Sequence, residues 1–272
     1  MTAALGESIE ILRAARAGRL LVVTGAGISR ASGIATFRGS EPGAVWRQHD
    51  VDLATFDYFQ RDPVGQWSWY LERFATVDAA RPNEAHLALA RLAPRWREGG
   101  GDFVLVTQNI DCLHEAAGST DTIKVHGTSD RVRCSVAGGC ELAAPTGSLP
   151  RDAIDLGPFR ERPAIDTIPR CPGCGALLRA HVLFFDEYYG EHVDYRFDEV
   201  ERAAATCDVA LFAGTSFSVG VTDLVLRQAL ARRRPVVSID PAGAPPGLFG
   251  GTVLAVEAVA EEALPAIDAA LA

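Results

Sequence analysis

The residues most able to do chemistry fall into a few short stretches. The segment Leu20-Leu-Val-Val-Thr-Gly25-Ala26-Gly27-Ile28-Ser29 runs from an apolar stretch into a glycine turn, where bare backbone amides at the start of a helix can approach a phosphate. Arg30 stands where a third glycine would complete the dinucleotide fingerprint, so the segment alone reads equally well as an ordinary tight turn. Cys171-Pro-Gly-Cys174 has zinc-knuckle spacing, and Cys134 and Cys140 complete a candidate four-thiolate set. Five residues separate the first pair, with Gly138 and Gly139 available to turn the chain. Such a site has no open position, so its metal would be structural; four free thiols are the alternative. Tyr70 and Arg73 share a face of a predicted helix, where a phenol and a guanidinium can converge on a carboxylate. Otherwise they are a half-buried tyrosine beside a surface arginine. Taken singly, Asn109 and Asp111 would cap a helix and His126 would be a hydrogen-bonded structural histidine. His86 and His114, on predicted helices, read as structural, and Cys112 and Cys207 as buried thiols.

These residues need a scaffold, and short apolar runs alternating with helix-like segments supply one. The runs are Leu20 to Thr24, Phe103 to Thr107, Val209 to Ala213, Val236 to Ile239 and Val253 to Val256, each bounded by polar, Gly or Pro residues. Glu84 to Trp96, Val221 to Arg233 and Ala258 to Leu271 place apolar residues three and four apart. The pattern predicts an α/β fold, a Rossmann-like doubly wound parallel sheet, with ligands bound beyond the carboxyl ends of its strands. The loops starting at Gly25, Gln108 and Gly214 should therefore meet in one crevice. Two stretches break the alternation. Residues 35–82 suggest a cofactor loop and a small helical module. Residues 129–182 hold the four clustered cysteines and too few apolar side chains for a core of their own, as expected of a metal-stapled insertion. The Rossmann-like domain would then comprise 1–34, 83–128 and 198–272, with 183–197 as a strand and connection.

The continuation Ser32-Gly33-Ile34-Ala35-Thr36-Phe37-Arg38-Gly39, then Thr107-Gln108-Asn109-Ile110-Asp111, Val125-His126-Gly127 and Gly214-Thr215-Ser216 follow in order along nearly the whole chain. Together they resemble the motifs of the sirtuin family. That resemblance implies an NAD-dependent protein-lysine deacylase with NAD and a structural Zn, the acyl-lysine lying in the cleft between domain and zinc module. It implies that the acyl oxygen displaces nicotinamide from the ribose, and that His126 then takes a proton from a ribose hydroxyl, a task suited to an imidazole neutral near pH 7. Asn109 and Asp111 would hold the nicotinamide half, with Gln108 on the ribose. Phe37 would cover the reacting centre and Arg38 face phosphate. Gly25, Ala26, Gly27, Ser29, Gly214, Thr215 and Ser216 would contact the rest of the cofactor. Asp240 stands where asparagine often meets the adenosine ribose, and Ala35 where proline is frequent. Tyr70 and Arg73 resemble the pair by which class III members select succinyl-, malonyl- or glutaryl-lysine, and Thr36 and the small Ala54 match that class. Val182 to Glu187, with Phe184 and Phe185, is the implied substrate-pairing strand, and Asp186 occupies a usual glycine position within it. The same site would serve a plain lysine deacetylase, an ADP-ribosyltransferase or an NAD hydrolase, and a non-catalytic NAD-binding regulator is a third class of reading.

Composition sets bounds. The 272 residues, 48% hydrophobic, allow one substantial core and a satellite module. The formal charge of −9 comes without any basic cluster, which argues against nucleic acid as a partner. Diffuse acidity would favour basic peptides, yet it serves equally as a solubility device. Glu7, Glu10, Arg13 and Arg16 interrupt the N-terminal apolar pattern, and no run is long enough to span a bilayer, so a cytoplasmic monomer without membrane contact is expected.

Overall fold

Leu20 to Val23 are buried on alternating faces: Leu20 and Val22 pack into one apolar cluster and Leu21 and Val23 into another. A strand buried on both faces belongs to the middle of a parallel sheet covered by helices, and the chain forms one. A computed structural model describes residues 2–36, 51–243 and 253–272. Its large sheet runs β3-β2-β1-β7-β8-β9, every pair parallel. These strands are β1 (Arg19–Thr24), β2 (Asp102–Thr107), β3 (Ile123–Lys124), β7 (Val209–Ala213), β8 (Val236–Ile239) and β9 (Val253–Val256). Helices α1 (Ala3–Ala14), α4 (Glu84–Glu98) and α9 (Ala260–Ala270) supply one apolar cluster, while α7 (Phe197–Thr206) and α8 (Gly220–Ala231) supply the other. The five predicted strands are present, and the structure adds β3, whose two residues carry no periodicity. Helix α8 stops short of the expected Arg233, which turns left-handed (φ 54°) two residues before Pro235.

The sheet order reverses between β1 and β7, and this switch point opens a crevice outside their carboxyl ends. Gly214 sits there at φ 61°, and a Cβ on it would lie 2.4 Å from the Ile28 nitrogen. Only glycine lets the loops after β1 and β7 touch. The amides of Gly25 and Gly27 donate to the Ala213 and Gly214 carbonyls at 3.2 and 2.9 Å.

A second, antiparallel sheet has the order β5-β4-β6, with β4 at Gly127–Cys134, β5 at Leu149–Pro150 and β6 at Leu178–Val182. Packed on it are α2 (Phe56–Arg61) and α3 (Pro63–Ala79), and Trp67 Nε1 donates to the Leu178 carbonyl at 2.8 Å. Trp67, Trp69, Tyr70 and Phe74 share one core with Val132, Leu178, Ala180 and Phe184. The helical stretch and the cysteine-bearing stretch, read separately in the sequence, thus form a single small lobe. The expected strand over Val182 to Glu187 ends at Val182, and the chain beyond turns under a side-chain clamp. Arg179 pairs with Glu187 and donates to the Val182 carbonyl at 2.7 Å, while Glu187 accepts from the Phe184 amide at 2.9 Å. Among the described residues, no helix is long and apolar enough to cross a membrane. Short helices α5 (Leu113–Ala116) and α6 (Gly157–Glu161) complete the order.

Candidate active site between the lobes

The crevice widens into a cavity of about 1130 Å³ bounded by both lobes. That exceeds the several hundred Å³ of a typical small-ligand pocket and leaves room for a dinucleotide together with an extended side chain. Gly25, Ala26 and Gly27 from the loop after β1, Gln108 and Asn109 from the loop after β2, and Gly214, Thr215 and Ser216 from the loop after β7 line one wall. Asp240, just past β8, marks the far end, where burial pushes its carboxyl above the usual carboxylate range against the pull of the Ala242 amide. Thr36, Ala54, Tyr70, Arg73, Val182, Phe184 and Phe185 line the other wall. Phe37 and Arg38 lie outside the described residues.

His126 stands where the walls meet. Its Nδ1 lies 2.8 Å from the Gln108 carbonyl, an acceptor only, so Nδ1 carries the proton and Nε2 is the basic atom. Burial pushes its pKa down to about 4, opposed by that hydrogen bond. The imidazole is therefore neutral near pH 7, as a base must be.

Asn109 Nδ2 donates to the Gly25 carbonyl at 3.2 Å and to Ser29 Oγ at 3.0 Å, and Ser29 Oγ donates to Asp111 at 2.9 Å. Ser29 and Asp111 are buried. They lie behind Asn109, and Asp111 also caps the turn at the Leu113 amide, 3.1 Å away. His86 faces the same Ser29 hydroxyl at 3.4 Å and accepts from the Asn83 amide, while His114 meets Thr24 Oγ1 at 3.0 Å. Both are buried and hold the wall from behind, as structural histidines do.

Tyr70 and Arg73 project from one face of α3 into the cavity. Burial raises the Tyr70 pKa, Arg73 opposing, so the phenol keeps its proton. Burial lowers the Arg73 pKa, but a guanidinium remains charged in a protein. The guanidinium rests over the Trp69 ring, 4.9 Å from its centroid. A donor and a fixed cation thus face one space. Phe184 stacks on Tyr70 with centroids 6.0 Å apart.

Asp186 is exposed and caps a neighbouring helix. Its carboxylate accepts from the Phe56 and Asp57 amides at 2.6 and 2.9 Å, tying the turn after β6 to the first turn of α2, beside a bond from the Phe185 amide to the Ala54 carbonyl at 2.9 Å. Sequence reasoning missed this cap, and it missed Tyr189, whose hydroxyl lies 3.0 Å from His126 Nε2. Tyr189 falls in a short 3-10 turn, where no periodicity marks an inward side chain.

At the outer end of the small lobe, the Sγ atoms of Cys134, Cys140, Cys171 and Cys174 all lie within 4.8 Å of one another. Tetrahedral zinc with ~2.3 Å bonds to sulfur separates its thiolates by about 3.8 Å, so the set fits zinc. The wide spacing of the first pair is absorbed by Gly138 and Gly139, both left-handed at φ 81° and 73°.

The Sir2 family profile matches residues 25–221, from the glycine turn through the start of α8. The chain belongs to the Sir2 family. It is 37% identical over 234 residues to an NAD-dependent protein deacylase of Thermus thermophilus, an alignment covering 86% of this chain and 83% of that one. It is 35% identical over 233 residues to the mitochondrial NAD-dependent protein deacylase sirtuin-5 of Danio rerio, covering 83% and 75%. Among solved structures, a Sir2 homologue in complex with NAD superposes with a TM-score of 0.77 at 30% identity, covering 97% of this chain and 93% of that one. That superposition takes in both lobes.

Proposed function

We propose that this chain is an NAD-dependent protein-lysine deacylase that favours acyl groups ending in a carboxylate. Tyr70 and Arg73, two cavity-facing groups one helical turn apart in the same space as His126, carry the reading. A carboxylate entering between them would meet a phenol donor and a cation desolvated enough to reward pairing. Acetyl-lysine offers nothing to that cation. Ala54, buried beside them, leaves room for the longer chain.

The cavity's composition suits NAD. The pyrophosphate would lie along the loops of Gly25 to Gly27 and Gly214 to Ser216, beside the Thr215 and Ser216 hydroxyls, Asp240 would meet the adenosine ribose, and Asn109, held by Ser29 and Asp111, would meet the carboxamide of the nicotinamide half. NAD supplies an electrophilic ribose carbon and a departing nicotinamide. His126 presents Nε2 as the basic atom of the cavity, its ring fixed by the Gln108 carbonyl and Nε2 facing the Tyr189 hydroxyl. Phe184 and Ala54 add an apolar stretch to the same cavity wall.

The test is a panel of succinyl-, glutaryl-, malonyl- and acetyl-lysine peptides incubated with NAD and followed by mass spectrometry. Removal of the acidic acyl groups is expected to exceed removal of acetyl, with nicotinamide and acyl-ADP-ribose as products. His126→Ala should lower kcat by a factor on the order of 100 to 10,000, the usual worth of a general base. Nicotinamide release at the same rate without acylated peptide would instead identify an NAD hydrolase, and equal rates on succinyl and acetyl peptides would refute the acyl preference.

A further inference from the structure

The tautomer of His126 has a consequence for Tyr189. Because Nδ1 is committed to the Gln108 carbonyl, Nε2 can only accept, and among the described residues Tyr189 is its partner, with Oη 3.0 Å away. The phenol must therefore donate its proton to the basic lone pair. Tyr189 itself lines the cavity. Its ring is stacked on Phe197 with centroids 4.0 Å apart and planes 7° apart, and lies nearly parallel to the imidazole. The Val221 amide, in the first turn of α8, acts on the same hydroxyl and favours its charged form, as a donor at a helix N-terminus does. The position that a general base should present to its substrate is thus already occupied by a hydroxyl, which in turn faces the cavity.

We infer that Tyr189 is a catalytic residue that relays the proton between the ribose hydroxyl and His126. In this step, which rests on the deacylase reading, the O–H bond of the ribose hydroxyl breaks and its proton passes to Tyr189 Oη. The phenol's own proton passes to His126 Nε2, leaving an imidazolium whose Nδ1–H remains bonded to Gln108. Tyr189 ends the step as it began, and the electron pair of the broken bond stays on the ribose oxygen as the nucleophile. The phenol carries only transient negative charge, which the Val221 amide stabilises. Burial pushes the Tyr189 pKa up to about 12, so the relay starts from the protonated phenol at neutral pH.

The experiment uses the full chain and its preferred acyl peptide in single turnover, comparing wild type with Tyr189→Phe, which keeps the ring on Phe197 and removes only the hydroxyl. Exchange of labelled nicotinamide into NAD precedes the proton transfer, so it should stay within about 3-fold, whereas product formation should slow by at least ~10-fold, the lower range for proton-transfer assistance. The wild-type rate in mixtures of light and heavy water should curve with deuterium fraction, as two protons in flight require, and become linear in Tyr189→Phe. A Tyr189→Phe enzyme as fast as or faster than wild type would make the phenol a mere cover that the substrate displaces, overturning the relay. Loss of nicotinamide exchange together with product formation would also overturn it, since the tyrosine would then act on binding. A linear solvent-isotope plot in wild type would do so without any variant. Absence of nicotinamide exchange in the wild-type protein itself would count against the deacylase reading instead.

Discussion

In the large lobe, aliphatic side chains from β1, β2, β7 and β8 are covered on both faces by helices, and each cluster is closed by residues of that lobe. In the small lobe, the core is aromatic and assembled from stretches some hundred residues apart: Trp67, Tyr70 and Phe74 from α3 must find Phe159, Leu178 and Phe184. Two of the clustered thiols, Cys134 and Cys171, belong to that same core. The small lobe's core thus draws on a three-stranded sheet and on the thiols of a metal site, whereas the clusters of the parallel-sheet lobe contain no thiol of that site. Zinc held by the four cysteines would fasten the small lobe's core, and Tyr70 and Arg73 sit on the same lobe. His126 and the wall of Gly25 to Gly27 and Gly214 to Ser216 sit on the other.

Removing the metal should separate the lobes most sharply. Chelation, or Cys134→Ser, is expected to abolish deacylation while far-UV circular dichroism retains the parallel-sheet lobe, because binding energy of a structural zinc is folding energy. Full activity in protein shown to be metal-free would break the comparison.

A smaller effect should come from the acyl wall. Arg73→Met is expected to lower the succinyl-to-acetyl ratio of kcat/KM by roughly 10-fold or more, the worth of a hydrogen bond to a charged group. KM for NAD should hardly move, since Arg73 lies on the small lobe. An unchanged ratio would remove Arg73 from the pocket.

Buried histidines add a pH signature, and the large lobe holds two of them behind its wall. Burial pushes the pKa of His86 down to about 4 and that of His114 to about 3, in the latter case assisted by the neighbouring His86 charge. Unfolded histidine titrates near 6.5. As pH falls below that value the unfolded chain gains protons that the folded lobe refuses, so stability drops, by at most ~1.4 kcal/mol per pH unit per histidine, until the folded values are reached. Denaturant titrations at pH 7 and pH 5 should show this loss, and His86→Gln should reduce it. A stability flat across that range would mean the two rings are protonated in the folded protein.

The least effect is expected at the seam within the small lobe. Asp186→Gly removes two exposed bonds to the Phe56 and Asp57 amides and should raise KM for the acyl peptide by about 3-fold with kcat nearly unchanged, a loss near the lower end of the ~0.5–1.5 kcal/mol typical of one hydrogen bond. If the carboxylate instead recruited basic flanks of the substrate, the loss would appear only with peptides carrying lysine or arginine beside the acylated residue.

The amino-acid sequence by itself determined the parallel sheet, the glycine turn, the cysteine set and the shared face of Tyr70 and Arg73. Each is written in local periodicity or spacing, and the physics of strands, helices and metal ligands reads such patterns directly. Tertiary structure alone decided that the helical and cysteine-bearing stretches share one core, that the chain turns after Val182 rather than extending to Glu187, and that Asp186 caps a helix. It also decided that Ser29 and Asp111 stand behind Asn109 and that a tyrosine from an irregular turn meets His126. These depend on side chains distant in sequence arriving at hydrogen-bond range, a condition set by packing of whole lobes and absent from any local pattern.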